Sequence, residues 1–279
     1  MSKTALITGG GGAIAMALSR KLSEQGFDLV LADLDEARMA ANSAQLPRVI
    51  STIRADLSTE EGLDAIASRL ASSDVPIDLL VNNAGIIRPG NIVDLPFADI
   101  DKHLKINLIA PLKLTQAAGQ AMAARGGGTI LSIVSAAGLV ALPGSAAYSA
   151  SKFGLRGFLM AARMELAPLN VRVCGIYPGA VDTPMLRYEA THDGSPLNFL
   201  NKDVLTPEQV AEACMDALKS GRLETFLPAS DAMLSKLISV APSLLEWLAP
   251  RLQKAGERGK EKFLAARGLT PVAKGSANG

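Results

Sequence analysis

The chain lacks the features that mark disulfide-rich, membrane-spanning or strongly charged proteins. Its 279 residues include two cysteines, Cys174 and Cys214, which indicates reduced thiols in a reducing compartment and no disulfide framework. The formal net charge of +1 indicates neither nucleic acid nor an acidic partner. No uninterrupted apolar run reaches the ~18 residues of a membrane span, and strand-like sequence directly after Lys3 leaves no room for a signal peptide. We therefore expect a cytoplasmic protein.

Histidine is also scarce, which limits the metal chemistry that the sequence can support. His103 and His192 are far apart, and no cysteine or carboxylate completes a zinc-binding spacing around them, so we predict no metal site. We expect His103 to be a solvated helix residue, while His192 could contact a substrate. The absence of a Gly-x-Ser-x-Gly segment argues against acyl hydrolysis.

What the chain does have is a regular alternation of short apolar runs and helical patterns. A hydrophobic content of 48% is sufficient for a substantial core. Apolar strands alternating with helices predict an α/β fold, a single doubly wound Rossmann-type domain with a mostly parallel seven-stranded sheet and helices on both faces. Strands are predicted at Thr4–Thr8, Leu29–Asp33, Val49–Ala55, Leu79–Val81, Thr129–Val134, Val171–Tyr177 and Thr225–Leu227. Helices are predicted near Ile14–Gln25, Asp35–Ala44, Thr59–Ala71, Asp99–Ala124, Ser149–Leu166 and Pro207–Lys219.

A glycine-rich turn follows the first predicted strand. Gly9 to Gly12 stand between that strand and a helix start, and bare backbone N–H groups there can cradle a pyrophosphate at the positive end of the helix. The alternative is a flexible turn. Asp33 ends the second strand, where a carboxylate can accept hydrogen bonds from ribose hydroxyls and repel a 2′-phosphate; alternatively, it is a surface residue that caps the next helix.

A tyrosine, a lysine and a serine form the most informative group. Lys152 lies four positions after Tyr148, so the phenol and the ammonium lie on one face of a helix. A nearby cation favours the phenolate, so we expect Lys152 to lower the pKa of Tyr148. Ser135 lies 13 residues before Tyr148, at the end of a strand-like run, where its hydroxyl can hold a substrate oxygen. Alone, a Tyr-x-x-x-Lys spacing is a weak signal.

The order of the motifs along the chain is more specific than any one of them. It resembles the short-chain dehydrogenase/reductase family over roughly the first 230 residues. The series consists of Thr8-Gly9, Asp33, Asp56, Asn82-Asn83-Ala84-Gly85, Asn107, Ser135, Tyr148 with Lys152, and Pro178-Gly179. The resemblance implies hydride transfer between a secondary alcohol and NAD. Tyr148 would act as acid and base, Ser135 would orient the substrate oxygen, and Lys152 would assist Tyr148.

The resemblance also implies a residue set for the cofactor. NADP-using members usually carry a basic residue where this chain has Gly12 or Leu34, so NAD is favoured. Asp56 would meet the adenine amino group, and Val181 with Thr183 would hold the nicotinamide carboxamide. The chain departs from the family pattern at Ala13 and Ala15, where the two later glycines of the turn belong. The implied cofactor-binding residues are Gly9, Gly11, Gly12, Ile14, Asp33, Leu34, Asp56, Leu57, Asn83, Ala84, Gly85, Tyr148, Lys152, Pro178, Gly179, Val181 and Thr183.

Asn107 completes the catalytic set that the resemblance implies. It stands inside the long fourth helix, where asparagine is a mediocre helix former. By resemblance, its main chain orders a water beside Lys152 and completes a proton path. The alternative is an asparagine on the helix surface.

The later part of the chain bears on the substrate and on partners. The segment from Pro184 to Asp203 is rich in apolar residues and should form a flap over an apolar substrate, which could be a steroid, lipid, terpenoid or aryl compound. We divide the chain into a catalytic domain, residues 1–230, and a helical extension, residues 231–279, packed on the same domain, with breaks at Pro242 and Pro250. The extension could instead rest on anionic lipid as a peripheral membrane contact.

The resemblance also bears on oligomeric state. It implies a homodimer or homotetramer, and small residues on two helices would allow close helix contacts: Ala110, Ala117, Ala118, Ala121, Ala161 and Ala162. The chain could also be a catalytically idle NAD-binding protein for sensing or assembly, for which the departure at Ala13 is the one hint.

Overall fold

The computed structural model describes residues 2–200, 204–229, 239 and 242–272. The described chain contains a seven-stranded sheet in which every strand pairs parallel to its neighbours, in the order β3-β2-β1-β4-β5-β6-β7. This confirms the predicted α/β fold. The strands are β1 Thr4–Thr8, β2 Asp28–Asp33, β3 Val49–Arg54, β4 Leu79–Asn82, β5 Gly128–Ile133, β6 Val171–Pro178 and β7 Glu224–Leu227.

The helices cover both faces of the sheet, because most of its strands are apolar on both sides. One core contains Leu18, Leu22 and Leu29, and the opposite core contains Ile66, Leu80 and Leu114. The helices are α1 Ala13–Glu24, α2 Glu36–Ser43, α3 Glu60–Ala71, α4 Phe97–Leu104, α5 Ala110–Ala124, α6 Ala146–Leu166, α7 Pro184–Thr191, α8 Pro207–Ser220 and α9 Pro242–Arg267. The strand order reverses between β1 and β4, which opens a crevice at the carboxyl edge of the sheet.

The long fourth helix of the prediction is interrupted. The structure has α4, then a π-helical turn at Lys105–Ile109, then α5, where one unbroken α-helix over Asp99–Ala124 is predicted. Such turns are frequent at functional sites, and this one contains Asn107. The flap segment also contains a helix, α7, that the sequence pattern does not predict.

The C-terminal helix α9 packs on the flap. Residues of the predicted extension before it, 231–238 and 240–241, lie outside the described residues. The helix runs through Pro250 without ending, so the predicted break there is wrong, although proline removes one backbone hydrogen bond from the turn. Phe263 and Leu264 are buried against Leu186, Ala190 and Phe199. None of the described helices is long and apolar enough to cross a bilayer.

Two glycines of α9 explain how closely it approaches the flap. A Cβ atom on Gly256 would lie 2.2 Å from the Pro196 carbonyl oxygen, and one on Gly259 would lie 1.9 Å from the Phe199 carbonyl oxygen. Real Cβ atoms do not approach oxygen so closely. The helix therefore packs backbone against backbone on the turn Pro196–Phe199.

Candidate active site

Two adjoining clefts open at the carboxyl edge of the sheet. The first, of about 740 Å³, follows the glycine turn and the ends of β2 and β3. The second, of about 530 Å³, extends over Ser135 and Tyr148 beneath the flap. Both clefts are lined by Ile14, Asn83, Gly85, Thr183 and Met185. A ligand in the first cleft can therefore extend toward Tyr148, which lines the second.

The glycine turn forms the wall of the first cleft. Gly9 has φ +67°, and a Cβ there would lie 2.9 Å from the Ala84 Cα, so the turn requires glycine at this position. It leads into α1, whose first turn, all of it described, contains no acidic residue and whose N-cap Gly12 makes no side-chain capping bond. The N–H groups of this first turn have no intrahelical acceptor. These features fit a pyrophosphate, and Ala13, the first residue of α1, lines the cleft without closing it.

Asp33 is placed beside the glycine turn. Its carboxylate accepts a hydrogen bond from the Gly11 N–H at 2.8 Å and another from the Asp35 N–H at 2.9 Å. The capping role is taken by Asp35, which accepts from the Arg38 N–H, so Asp33 is not the helix cap. Asp33 and the exposed Leu34 both line the first cleft.

The far wall of the first cleft comes from the loop after β3. The Asp56 carboxylate accepts from the Ser58 hydroxyl at 2.6 Å and from the Ser58 N–H at 2.8 Å. These two bonds, the hydroxyl first, lower the pKa of Asp56. Asp56 and Leu57 line the cleft, and Thr59 caps α3.

The loop after β4 joins the two clefts. The Thr8 hydroxyl accepts from the N–H groups of Asn83 and Ala84, both at 3.1 Å, and the Asn83 amide donates to the Thr8 carbonyl at 2.9 Å. Gly85 lies close to both Asn107 and Lys152, since a Cβ on it would be 3.3 Å from the Asn107 Oδ1. These bonds fix the loop that lies between the glycine turn and the group of Ser135, Tyr148 and Lys152.

The loop after β6 closes the opposite side. Pro178, Gly179, Val181 and Thr183 line the second cleft. The Gly179 N–H donates to the Leu227 carbonyl at 2.8 Å, and the Thr183 hydroxyl caps α7 by accepting from the Leu186 N–H. The structure therefore places this segment at the junction of the two clefts.

Ser135, Tyr148 and Lys152 come together in the second cleft. Ser135 follows β5, and its hydroxyl accepts from the Ala137 N–H at 3.1 Å. Tyr148 and Lys152 lie one turn apart on α6, with the Lys152 Nζ 5.6 Å from the centre of the Tyr148 ring. The same ammonium donates to the Ile133 carbonyl at 3.1 Å.

The electrostatics of this group differ from the expectation. Burial raises the pKa of Tyr148 above its ordinary value, Glu189 acts in the same direction, and a hydrogen bond with Ser135 opposes them. Burial also lowers the pKa of Lys152 to about 8. The expected lowering of the Tyr148 pKa by Lys152 is therefore wrong for the protein alone, because desolvation disfavours both charged forms.

Asn107 is buried, not on the helix surface. Its amide oxygen accepts from the Ile86 N–H at 2.8 Å, and its amide nitrogen donates to the Ile86 carbonyl at 2.9 Å. A cavity of about 10 Å³ lies among residues that include Asn107 and Lys152, a size that accommodates one water.

The comparison with known proteins agrees with this geometry. The sequence model described as short chain dehydrogenase matches residues 3–194. The chain belongs to the short-chain dehydrogenase family.

Relatives of this short-chain dehydrogenase cover most of its length. The oxidoreductase UcpA of Salmonella typhimurium is 31% identical over 235 residues, 82% of this chain and 89% of UcpA. The bulky-bulky ketone specific alcohol dehydrogenase of Comamonas testosteroni has a TM-score of 0.73 and 25% identity, with 88% and 94% of the two chains covered. A short-chain dehydrogenase of Sphingobium yanoikuyae in complex with NADPH has a TM-score of 0.76, 25% identity and the same coverage. The protein is accordingly an oxidoreductase of a family that binds a nicotinamide cofactor.

Sequence reasoning misses three residues that line the first cleft of this short-chain dehydrogenase, Arg20, Arg38 and Asn42. It places Glu189 and Asn198 in the flap and Leu252 in the extension but gives them no role of their own, and all three line the second cleft. Arg38, four residues after Leu34, is the one with a local signal, because it is a basic residue on the helix that directly follows β2. The others come from the flap and from α1, α2 and α9, where no motif marks them.

One of the two histidines differs from expectation. His103 is fully buried, so its assignment as a solvated residue is wrong. Its Nε2 accepts from the Arg88 N–H at 3.0 Å, its Nδ1 lies 2.6 Å from the Asp99 carbonyl oxygen, and its ring meets the Tyr148 ring edge-on. His192 stacks on Tyr188, with its Nδ1 2.8 Å from the Tyr188 carbonyl oxygen.

Proposed function

We propose that this protein is an NAD(H)-dependent oxidoreductase that interconverts a secondary alcohol and a ketone on an apolar substrate. The observation that carries this proposal is the meeting of Ser135, Tyr148 and Lys152 in an apolar cleft that joins the cleft of the glycine turn. The flap and α9 contribute apolar walls to this cleft through Met185, Leu186, Leu197, Leu200 and Leu252.

The chemistry needs a hydride carrier and a proton donor. A nicotinamide held by the residues of the first cleft would provide the hydride chemistry, as donor to a ketone carbon or acceptor from a carbinol carbon. Tyr148 gives its phenolic proton to the oxygen of the ketone in reduction and takes a proton from the alcohol in oxidation. Ser135 holds the same oxygen by a hydrogen bond. Burial keeps the pKa of Tyr148 high, so its phenol is protonated in the protein without a bound cofactor. Ketone reduction requires this protonated form.

A proton path behind Tyr148 is part of this proposal. Lys152 would bind the nicotinamide ribose, and its ammonium lies near Tyr148. The small cavity lined by Asn107 and Lys152 has the minimum size that one water needs. The π-helical turn at Lys105–Ile109 contains the residue that borders this cavity. Asn107 would therefore act by positioning this water and the Ile86 loop.

NAD is proposed as the cofactor because of Asp33. Its carboxylate lies at the ribose end of the first cleft and would repel a 2′-phosphate. Arg38 and Arg20 in the same cleft, together with the NADPH in the Sphingobium relative, favour NADP. We give Asp33 the greater weight because it bonds directly to the glycine turn, whereas the Arg38 guanidinium is exposed and pairs with Asp35.

The direct test is a screen of secondary alcohols with NAD and of ketones with NADH, followed through the absorbance of the reduced cofactor. We expect turnover of bulky apolar alcohols or ketones in at least one of the two directions, oxidation or reduction. Binding of NAD without turnover of any member in either direction would favour the catalytically idle alternative.

A further inference from the structure

The second cleft contains a carboxyl group that the proposed chemistry does not use. Glu189 lies on α7, is only 6% exposed, and lines the same cleft as Tyr148. Most of the neighbouring wall is apolar, as described above. A carboxyl group in such surroundings is costly unless hydrogen bonds satisfy it.

The hydrogen bonds of Glu189 leave part of the group available to the cleft. The Asn198 amide donates to its Oε1 at 3.0 Å. Within the described part of the chain, this is the only side-chain hydrogen bond to the carboxyl group. Asn198 lines the cleft as well, and its amide oxygen is a further acceptor.

Lys260, whose charge acts on Glu189, does not line the second cleft. Lys260 of α9 attracts the carboxylate, but its ammonium donates to the carbonyl oxygens of His192 at 3.0 Å and Gly194 at 3.4 Å. Burial raises the pKa of Glu189 to about 7, with Asn198 and Lys260 acting against it. Both protonation forms therefore exist near neutral pH. Glu189 and Tyr148 both line the second cleft, and, besides burial, the charge of Glu189 raises the pKa of Tyr148.

We propose that Glu189 and Asn198 form a polar subsite that binds a second hydroxyl group of the substrate, apart from the carbon that exchanges hydride. This inference rests on the proposed function and names its substrate class: an apolar alcohol or ketone with one additional, non-reacting hydroxyl. A hydroxyl both donates and accepts, so it pairs with Glu189 in either protonation form. A substrate carboxylate would face a carboxylate, and an ammonium would require two buried charges in an apolar cleft.

A purely structural role for Glu189 makes a different prediction. If the carboxyl group only braced Asn198 and the turn Pro196–Phe199, its loss would lower stability and affect all substrates equally. A recognition role instead changes the ratio between substrates that differ by one hydroxyl.

The test uses matched pairs of substrates. Phenyl-substituted secondary alcohols with short, medium and long linkers are each compared with the derivative that carries a para-hydroxyl, which this chemistry cannot oxidise. We expect the wild type to prefer the hydroxylated member of at least one pair by about fivefold to tenfold in kcat/KM, the range expected of one hydrogen bond. In Glu189→Leu the ratio should fall to about one, and in Glu189→Gln it should fall less, because an amide still forms hydrogen bonds. Glu257→Gln, an exposed glutamate on α9, is the matched control and should keep the wild-type ratio.

Binding measured without turnover separates this inference from the proposed function. The same pairs are titrated by calorimetry into Tyr148→Phe with NAD present, with and without Glu189→Leu. Asn198→Leu provides a second route if Glu189→Leu does not fold. A hydroxyl preference in binding that is lost in the Glu189 or Asn198 variant supports the subsite even if no alcohol is turned over. The inference is overturned if the wild type shows no hydroxyl preference at any linker length, if the variants keep it, or if para-amino derivatives bind more tightly than para-hydroxyl ones.

Discussion

The Tyr148 hydroxyl is the single atom on which the proposed chemistry depends. Replacing Tyr148 with phenylalanine keeps the ring and its packing against His103 and removes only the group that transfers the proton. We expect kcat to fall by at least about 100-fold, the lower end of general acid–base contributions. Calorimetry should show NAD affinity within a few-fold of the wild type. A variant that kept more than a few per cent of the turnover would rule out Tyr148 as the acid and base.

The preference for NAD over NADP also depends on single residues, Asp33 above all. We expect the wild type to prefer NAD by about tenfold or more in kcat/KM, a difference of about 1.4 kcal/mol. Asp33→Ser with Leu34→Arg should relax or reverse the preference by removing a repulsive charge and adding a phosphate partner. Because Asp33 also accepts the Gly11 N–H, the variant should lose affinity for both cofactors, so the ratio is the quantity to compare.

The variant Arg38→Ala distinguishes the effect of Arg38 on cofactor preference from the opposing effect of Asp33. If Arg38 binds a 2′-phosphate, its loss should lower kcat/KM with NADP and leave that with NAD nearly unchanged. Comparable efficiency of the wild type with both cofactors would contradict the role given to Asp33.

His103 predicts a dependence of stability on pH. Burial lowers the pKa of His103 below its ordinary value of 6.5, so the unfolded chain takes up a proton at a higher pH than the folded one. The stability that this difference contributes is fully present above about pH 6.5 and is lost as the pH falls toward the folded pKa, at no more than about 1.4 kcal/mol per pH unit.

This can be measured by urea denaturation between neutral and mildly acidic pH. His103→Gln should be less stable at neutral pH, because it loses well-formed hydrogen bonds, but its stability should decline less steeply with acidity. His192→Gln removes an imidazole that is only partly buried and serves as the control. Parallel declines for the wild type and His103→Gln would show that another group titrates.

At the scale of helices and strands, features that depend on local sequence could be predicted, and features that depend on contacts between distant segments could not. The strands and the glycine turn depend on residues within one element, and each lies where the pattern places it, to within a few residues. The burial of His103 and the position of Glu189 depend instead on the loop after β4 and on the flap, far away in sequence. The π-helical turn has no residue pattern of its own, so an unbroken helix is the expected result.

We propose that residues 231–279 form an extension that completes the substrate cleft, and α9 allows this to be tested. Gly259→Ala places a methyl group against the Phe199 carbonyl oxygen, so α9 must move away from the flap. We expect a loss of about 1–3 kcal/mol in stability, as for other overpacked contacts, and a higher KM for bulky apolar alcohols with little change in NAD affinity.

Ala255→Gly is the matched control, since Ala255 is an exposed residue of the same helix α9. A glycine inside a helix costs about 0.5–1 kcal/mol relative to alanine, so this variant should lose that much stability and keep the wild-type KM. An unchanged KM and melting temperature in Gly259→Ala would show that α9 does not bound the cleft as described.

At the scale of the whole molecule, the exposed apolar side chains of α4 to α6 predict an oligomer. Phe97, Ile109, Phe153, Met160 and Met164 are all exposed in the single chain, which is unusual for so many large apolar groups on neighbouring helices. Three of the alanines expected at the interface, Ala110, Ala118 and Ala162, are instead buried in the core. The interface would therefore be formed by larger side chains than the sequence pattern indicates.

We expect light scattering to give a mass of two or four chains of 29.0 kDa at micromolar concentration. Met160→Glu with Met164→Glu should shift the mass toward a single chain, because it places charges in an apolar contact. Val75→Glu changes an exposed apolar residue between α3 and β4 and should leave the mass unchanged. A wild-type mass near one chain would refute the oligomer.

The position of α9 along the chain also has a consequence for biosynthesis. The lining of the first cleft ends at Glu208, whereas the second cleft requires Leu252, on a helix that ends at Arg267. Because the chain is made from its N-terminus onward, every residue that lines the first cleft is synthesised before the last wall of the second cleft exists. A ribosome-bound chain that stops before α9 would thus contain the whole lining of the first cleft, while the second cleft would lack the wall that Leu252 supplies.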